Sequence, residues 1–125
     1  MKYGIKPKLE DRIEIRNLLL YEIEHEDDEN IESHELMRVL CFWLFQIRNI
    51  EDCEIIWKAK TLNMDAGSMI DWELLCGAGY SETLNYLKTK DILPKMKEYL
   101  EEYIGQEIDK DEIVDGFKSY YRIAD

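Results

Sequence analysis

The chain has 125 residues, with 28 Asp and Glu against 16 Lys and Arg, a net charge of -12. That length suits one domain able to bury a core without disulfide or metal staples. A composition 46% hydrophobic and 35% charged excludes a disordered tail and a membrane protein, and the acid excess argues against direct nucleic-acid binding, since phosphate repels it.

Helical periodicity dominates and two-residue alternation is nearly absent. The first helix is predicted over about Lys8 to His25. Leu9, Ile13, Arg16, Leu20 and Ile23 recur at three- and four-residue spacing, with Ile15, Leu18 and Leu19 widening the stripe. It stops at the acidic run Glu26-Asp27-Asp28-Glu29-Asn30, because negative charge opposes the dipole at a helix C-terminus. Asn30 or Ser33 caps a second helix reaching about Arg48. Leu36, Leu40, Trp43 and Ile47 form one of its faces, and Met37, Cys41, Leu44 and Phe45 another. A helix apolar on most sides is a central one. Asn49 caps a third, with Asp52, Ile55, Ile56, Ala59 and Leu62 in period and Glu51 and Asp52 at its positive end.

Residues 63–68 break the pattern. Met69 to Leu75 reads as a short helix or turn, with a few strand residues as the alternative. Gly77-Ala78-Gly79 stops it. Ser81 caps a helix carrying Leu84 and Leu87. Asp91 caps another, with Pro94 in its first turn and Met96, Leu100, Tyr103 and Ile104 along it, ending at Gly105. The last helix spans about Asp109 to Tyr121 with Ile113, Phe117, Tyr120 and Tyr121. The expected fold is all-α: one domain over residues 1–125, an irregular antiparallel bundle of six or seven helices, with layered helical pairs as one arrangement. No repeat of 33 to 45 residues is visible.

The longest apolar run, Val39 to Phe45, is far too short for a membrane span. The basic start, Met1 to Pro7, lacks the apolar stretch of a secretory signal. Cys41, Cys53 and Cys76 are odd in number and widely spaced, which fits buried free thiols in a reduced cytoplasm.

No motif demands a cofactor. His34-Glu35 opens like H-E-x-x-H, but Arg38 stands where the second ligand belongs, and His25 is in an acidic stretch; a zinc site is not supported. No G-x-S-x-G is present. Gly77-Ala78-Gly79-Tyr80-Ser81-Glu82 matches half of G-x-G-x-x-G without its third glycine, and reads better as a tight turn with close backbone approach. Asp109-Lys110-Asp111 and Asp115-Gly116 miss the calcium-loop spacing at Ile113 and Tyr120; Asp109 and Asp111 read as cap and first-turn acids.

Two acidic features remain. Residues 21–40 carry a net -7 and residues 101–125 a net -5, so the acid is localised. Glu22, Glu26, Asp27, Asp28, Glu29 and Glu32 form a field able to attract a basic partner. Asp65, Asp71 and Glu73 flank the one irregular stretch, near Trp57 and Trp72. As a group they suit either partner contact or metal and acid–base work.

Ile56-Trp57-Lys58-Ala59-Lys60, the run Ile70 to Gly79 and Thr83-Leu84-Asn85-Tyr86-Leu87 make a Trp helix, an Asp-started turn, a Gly-Ala-Gly corner and a Thr-x-x-Tyr-Leu helix. Over this stretch, about a quarter of the chain, the sequence resembles small bacterial immunity-type proteins encoded beside secreted toxins. The resemblance carries no catalytic assignment over. Taken with the size, the lack of a catalytic motif and the acidic face, it leads to the expectation of a binding protein that holds a basic protein partner, a cognate toxin such as a nuclease. The alternatives are a small metal- or ligand-binding helical enzyme using Asp65, Asp71 and Glu73, and a helical adaptor. Oligomeric state stays open.

Overall fold

A computed structural model describes residues 8–25, 31–91, 93–106 and 108–121, with the side chains of 31–34, 65 and 120–121 excepted. Among the described residues the secondary structure is entirely helical. The α-helices are α1 (Arg12–Glu24), α2 (Ile31–Ile47), α3 (Asp52–Lys60), α4 (Met64–Met69), α5 (Tyr80–Lys90), α6 (Pro94–Glu101) and α7 (Lys110–Tyr121). Two 3-10 turns, Leu9–Asp11 and Trp72–Cys76, stand before α1 and between α4 and α5. The all-α expectation holds, and the strand alternative near Gly67 gives way to α4 and the second 3-10 turn.

The centre is α2. Every residue from Val39 to Phe45 is buried, as is Met37. Burying each large apolar side chain contributes about 1.5–3 kcal/mol, so this one segment supplies much of the driving force for collapse. Around it pack α1, α3, α4 and the second 3-10 turn. From α7, Phe117 stacks on Phe42 with ring centroids 3.8 Å apart. Cys41, Cys53 and Cys76 are buried in this core. Loss of solvation pushes the thiols of Cys53 and Cys76 up to about 12 and raises that of Cys41 as well, so all three behave as small apolar groups.

Helix α1 departs from its predicted stripe. Its buried residues are Ile15, Leu19 and Ile23, spaced by four, while Leu9 and Ile13 are exposed. The cause is electrostatic. Asp52, at the first turn of α3, is buried and needs cationic partners. Arg12 donates to both of its oxygens, from Nε at 3.0 Å and from Nη2 at 2.9 Å, and Arg16 donates from Nη1. Those bonds raise the pKa of Arg12 further. Turning Arg12 and Arg16 toward α3 brings Ile15, Leu19 and Ile23 onto α2 and rotates Ile13 outward.

Three helix starts also differ. Asn49 is not the N-cap of α3, which is Glu51; the Asn49 side-chain oxygen accepts from Glu51 N at 3.0 Å. Ser81 lies inside α5, whose N-cap is Gly79 at φ +116°, a conformation that favours glycine. Thr83 Oγ1 donates to Gly79 O at 2.7 Å. Asp91 does not start α6; it closes α5 in the left-handed conformation. Leu93 is the α6 N-cap, with Pro94 in the first turn as expected. The close approach expected of the glycine corner is real: a Cβ on Gly77 would lie 2.5 Å from Phe45 O and 2.9 Å from Phe45 Cα, so only glycine lets this corner rest on the α2 backbone.

The Asp52 cluster carries a clear test. Asp52→Ala leaves two guanidinium groups facing an empty buried site and should cost about 3–5 kcal/mol, lowering the melting temperature by roughly 10 °C or more. The triple replacement Arg12→Met/Arg16→Met/Asp52→Leu should recover much of that loss, because no buried charge is then left unpaired. Thermal unfolding of the three chains measures both.

Candidate functional site

Asp71 and Glu73 flank Trp72 at the start of the second 3-10 turn, with Asp71 as its N-cap. Trp72 is pinned from two sides. Its ring stacks on Tyr103 at 4.3 Å and meets Tyr80 edge-on at 6.0 Å. Tyr103 packs against Tyr99, and Tyr99 against Trp57, each pair at 5.4 Å. Five rings from α3, the 3-10 turn, α5, α6 and the turn after α6 thus form a continuous aromatic tier. Tyr80 Oη donates to Leu100 O, which locks α5 to α6. Trp57 and Trp72, near Asp71 in sequence, belong to one packed unit that fixes where Asp71 and Glu73 stand.

The two carboxylates open onto a cleft of about 340 Å³. Its other walls are Arg38 from α2, and Ile108, Asp109, Glu112, Ile113, Gly116 and Phe117 at and before α7. Four carboxylates therefore share the cleft with one guanidinium. Arg38 is not loose in it: its Cζ lies 4.6 Å above the centre of the Phe117 ring, a cation–π arrangement. Asp109 Oδ1 accepts from the Glu112 backbone N at 3.1 Å, so Asp109 caps α7 as its sequence position implied.

Behind Asp71 and Glu73 lies a second buried charge. Lys60 Nζ donates to Gly67 O at 2.7 Å and to Ile70 O, tying the last turn of α3 to the end of α4 just before Asp71. Burial lowers the Lys60 pKa, with Asp71 and Glu73 opposing. Its Nζ is 5.7 Å from the Tyr99 ring centre. Glu73 shows the converse: burial raises its pKa, and the negative charges of Asp71 and Glu112 add to that effect.

The other residues expected to contact a partner are placed apart from the cleft. Glu22 sits on α1, partly buried, and is not one of the cleft's lining residues. Glu26, Asp27, Asp28 and Glu29 lie outside the described residues, as do the side chains of Glu32 and Asp65. Among the described residues no three of His, Cys, Asp and Glu come together in a way that would hold a metal ion, and no helix is long and apolar enough to cross a membrane.

Sequence reasoning missed Arg38, Glu112 and Lys60 as members of this region. Arg38 had a signal: it is the one charged residue in a stretch from Met37 to Phe45 that is otherwise apolar. Lys60 had none, because a lysine in the last turn of a helix is ordinary dipole compensation. No protein-family model, curated protein or solved structure matches the chain.

The raised Glu73 pKa has a definite sign for stability. Between the unfolded value, about 4.3, and the higher folded one, the folded chain binds more protons, so stability falls as pH rises through this window. The penalty is fully present above the folded pKa and absent below the unfolded one. Glu73→Gln should therefore raise the melting temperature at pH 7 and leave it nearly unchanged at pH 4. A Glu73→Gln chain less stable at pH 7 than the parent would show that the carboxylate is favourably paired.

Proposed function

We propose that this chain is an immunity-type binding protein that neutralises a cognate bacterial toxin by covering a basic surface, such as the cleft a nuclease uses for phosphate. The observation that carries the reading is the convergence of Asp71, Glu73, Asp109 and Glu112 on one cleft in a chain of net charge -12. Carboxylates placed together compete with a phosphate backbone for the same lysines and arginines. They also speed association and reject acidic competitors. The aromatic tier beneath Asp71 and Glu73 supports the reading, because side chains held in place lose less entropy on binding. Three buried thiols without disulfides suit action in the reducing cytoplasm, where a toxin-producing cell needs protection.

The test is co-expression with the toxin-like protein of the neighbouring gene. Protection of the cell and a complex on a sizing column are expected. Asp71→Asn/Glu73→Gln should slow association by about tenfold at low salt and flatten its salt dependence. A chain neutralised at Glu26, Asp27, Asp28 and Glu29 separates the contribution of that run. Undiminished killing with no complex overturns the reading.

One observation favours a second reading, a small ligand- or metal-using enzyme at Asp65, Asp71 and Glu73: the raised Glu73 pKa suits a group that exchanges protons. Titration with divalent metals, followed by melting temperature, distinguishes the two. A large shift abolished by Asp71→Ala supports the enzyme reading, since a ligand that binds only the folded state stabilises it.

A further inference from the structure

A groove between α1 and α3 stands apart from the Asp71–Glu73 cleft, and no residue lines both. It holds about 440 Å³, within the range of small-molecule sites, roughly 300–1,000 Å³. Leu20 from α1, Ile55 and Trp57 from α3 and Leu93 at the head of α6 give it apolar walls. Leu20, Trp57 and Leu93 are only partly buried against the core, so a guest in the groove removes further apolar surface from water.

These walls are fixed before any guest arrives. Tyr99 packs against the Trp57 ring from α6, with centroids 5.4 Å apart. Leu93 holds a left-handed backbone at φ +49°, which a branched side chain keeps only where its surroundings enforce it. A site already ordered loses little entropy on binding.

The polar groups of the groove fall into two sets. Two of them are committed within the chain: Thr61 Oγ1 donates to Trp57 O at 2.8 Å, and the Glu54 carboxylate accepts from the Tyr86 hydroxyl. The groups with donors left over are both cations. Arg16 commits its Nη1 to Asp52, whose two oxygens are also held by Arg12, and the Arg16 side chain is 30% exposed. Lys58 is exposed, and its ammonium meets no described acceptor.

Two cations with donors remaining, against one carboxylate already bonded, make this groove anion-favouring in a chain of net charge -12. They suit a single carboxylate head, which accepts charge-assisted hydrogen bonds from both. The indole wall suits an aromatic body. A neutral aromatic leaves the cations unused and a cationic one is repelled by them. A polyanion meets the acid of the surrounding surface.

We infer that the groove between α1 and α3 binds a small aromatic carboxylic acid, with Arg16 and Lys58 on the carboxylate and Trp57 and Leu93 against the ring. The site uses no residue of the Asp71–Glu73 cleft, so it goes beyond the proposed function and does not depend on it.

The probe is naphthylacetate, with the neutral, isosteric naphthylacetamide as control. Calorimetry measures affinity, and the indole N–H signals of Trp43, Trp57 and Trp72 in isotope-labelled protein report the place of binding. The acid should bind about tenfold more tightly than the amide, as hydrogen bonds to a charged group imply, and should move the Trp57 signal most. Lys58→Gln should lose most of that preference and Lys58→Glu all of it. Amide binding and melting temperature should stay nearly unchanged in both, because Lys58 is exposed and braces no neighbour. Asp71→Asn/Glu73→Gln should bind the acid as the parent does. Equal binding of acid and amide overturns the inference, as does full acid binding by Lys58→Glu, a largest shift at Trp43 or Trp72, or no binding at millimolar probe. An acidic amphipathic peptide that moves the Trp57 signal where the free acid does not would make the groove a protein contact, and would overturn it as well. Loss of toxin protection leaves this site standing, and failure of the acid to bind leaves the proposed function standing.

Discussion

One buried carboxylate sets the geometry of the N-terminal half. Asp52 is 1% exposed, and a charge so placed is costly unless paired and hydrogen-bonded. Arg12 and Arg16 meet that need from α1, one turn apart, and Glu51 adds a weaker contact to Arg12 at 3.6 Å. The arrangement fixes more than the distance between α1 and α3. Two donors on the same side of one helix, aimed at one acceptor, fix the rotation of that helix about its axis. Everything else α1 does follows from that angle: Ile15, Leu19 and Ile23 enter the core, and Ile13 and Tyr21 face outward.

A comparable logic holds the other side together, with aromatic rings and a lysine in place of the Arg–Asp cluster. Gly77 allows the corner after the second 3-10 turn to touch the Phe45 backbone, and Arg48 Nε donates across this junction to Gly77 O at 3.1 Å. Lys60 gathers the carbonyls of Gly67 and Ile70, acceptors that would otherwise be buried without donors. The rings from Trp57 to Tyr80 fill the space between α3, α5 and α6. Asp71 and Glu73 thus sit on a loop braced from below, which is why a stretch irregular in sequence is well defined in space.

What was legible in the sequence follows from what was local. The run Val39–Phe45 announced a buried central helix, because no helix with so many apolar sides can face water. Pro94 in a first turn, Asp109 as a cap and a glycine corner at Gly77 were legible for the same reason: each obeys a backbone rule that acts over a few residues. The rotation of α1 was not. Arg16 inside an apolar stripe was the visible clue, but its partner is 36 residues away, and periodicity cannot weigh an ion pair against an isoleucine. The cleft was half legible. Asp71 and Glu73 stood out beside Trp72, whereas Arg38, Asp109 and Glu112 join them only through the packing of α7 on α2.

The uneven charge takes its meaning from these placements. Residues 8–25 hold three bases and five acids, and the surface of this segment is more acidic than that count implies, because Arg12 and Arg16 turn inward to Asp52. Lys60 is withdrawn in the same way, bound to backbone carbonyls and 8% exposed. Arg38 is held against Phe117. Cations are thus spent on internal structure while carboxylates stay at the surface, so the potential a partner meets is more negative than the net charge divided evenly over the chain would give. A sequence of the same composition with these cations placed on the solvent faces would carry the same net charge and would lack the focused field. The internal ion pairs therefore shape the outer electrostatics as directly as the surface acids do, and the stability of the fold and the sign of its surface potential have the same origin.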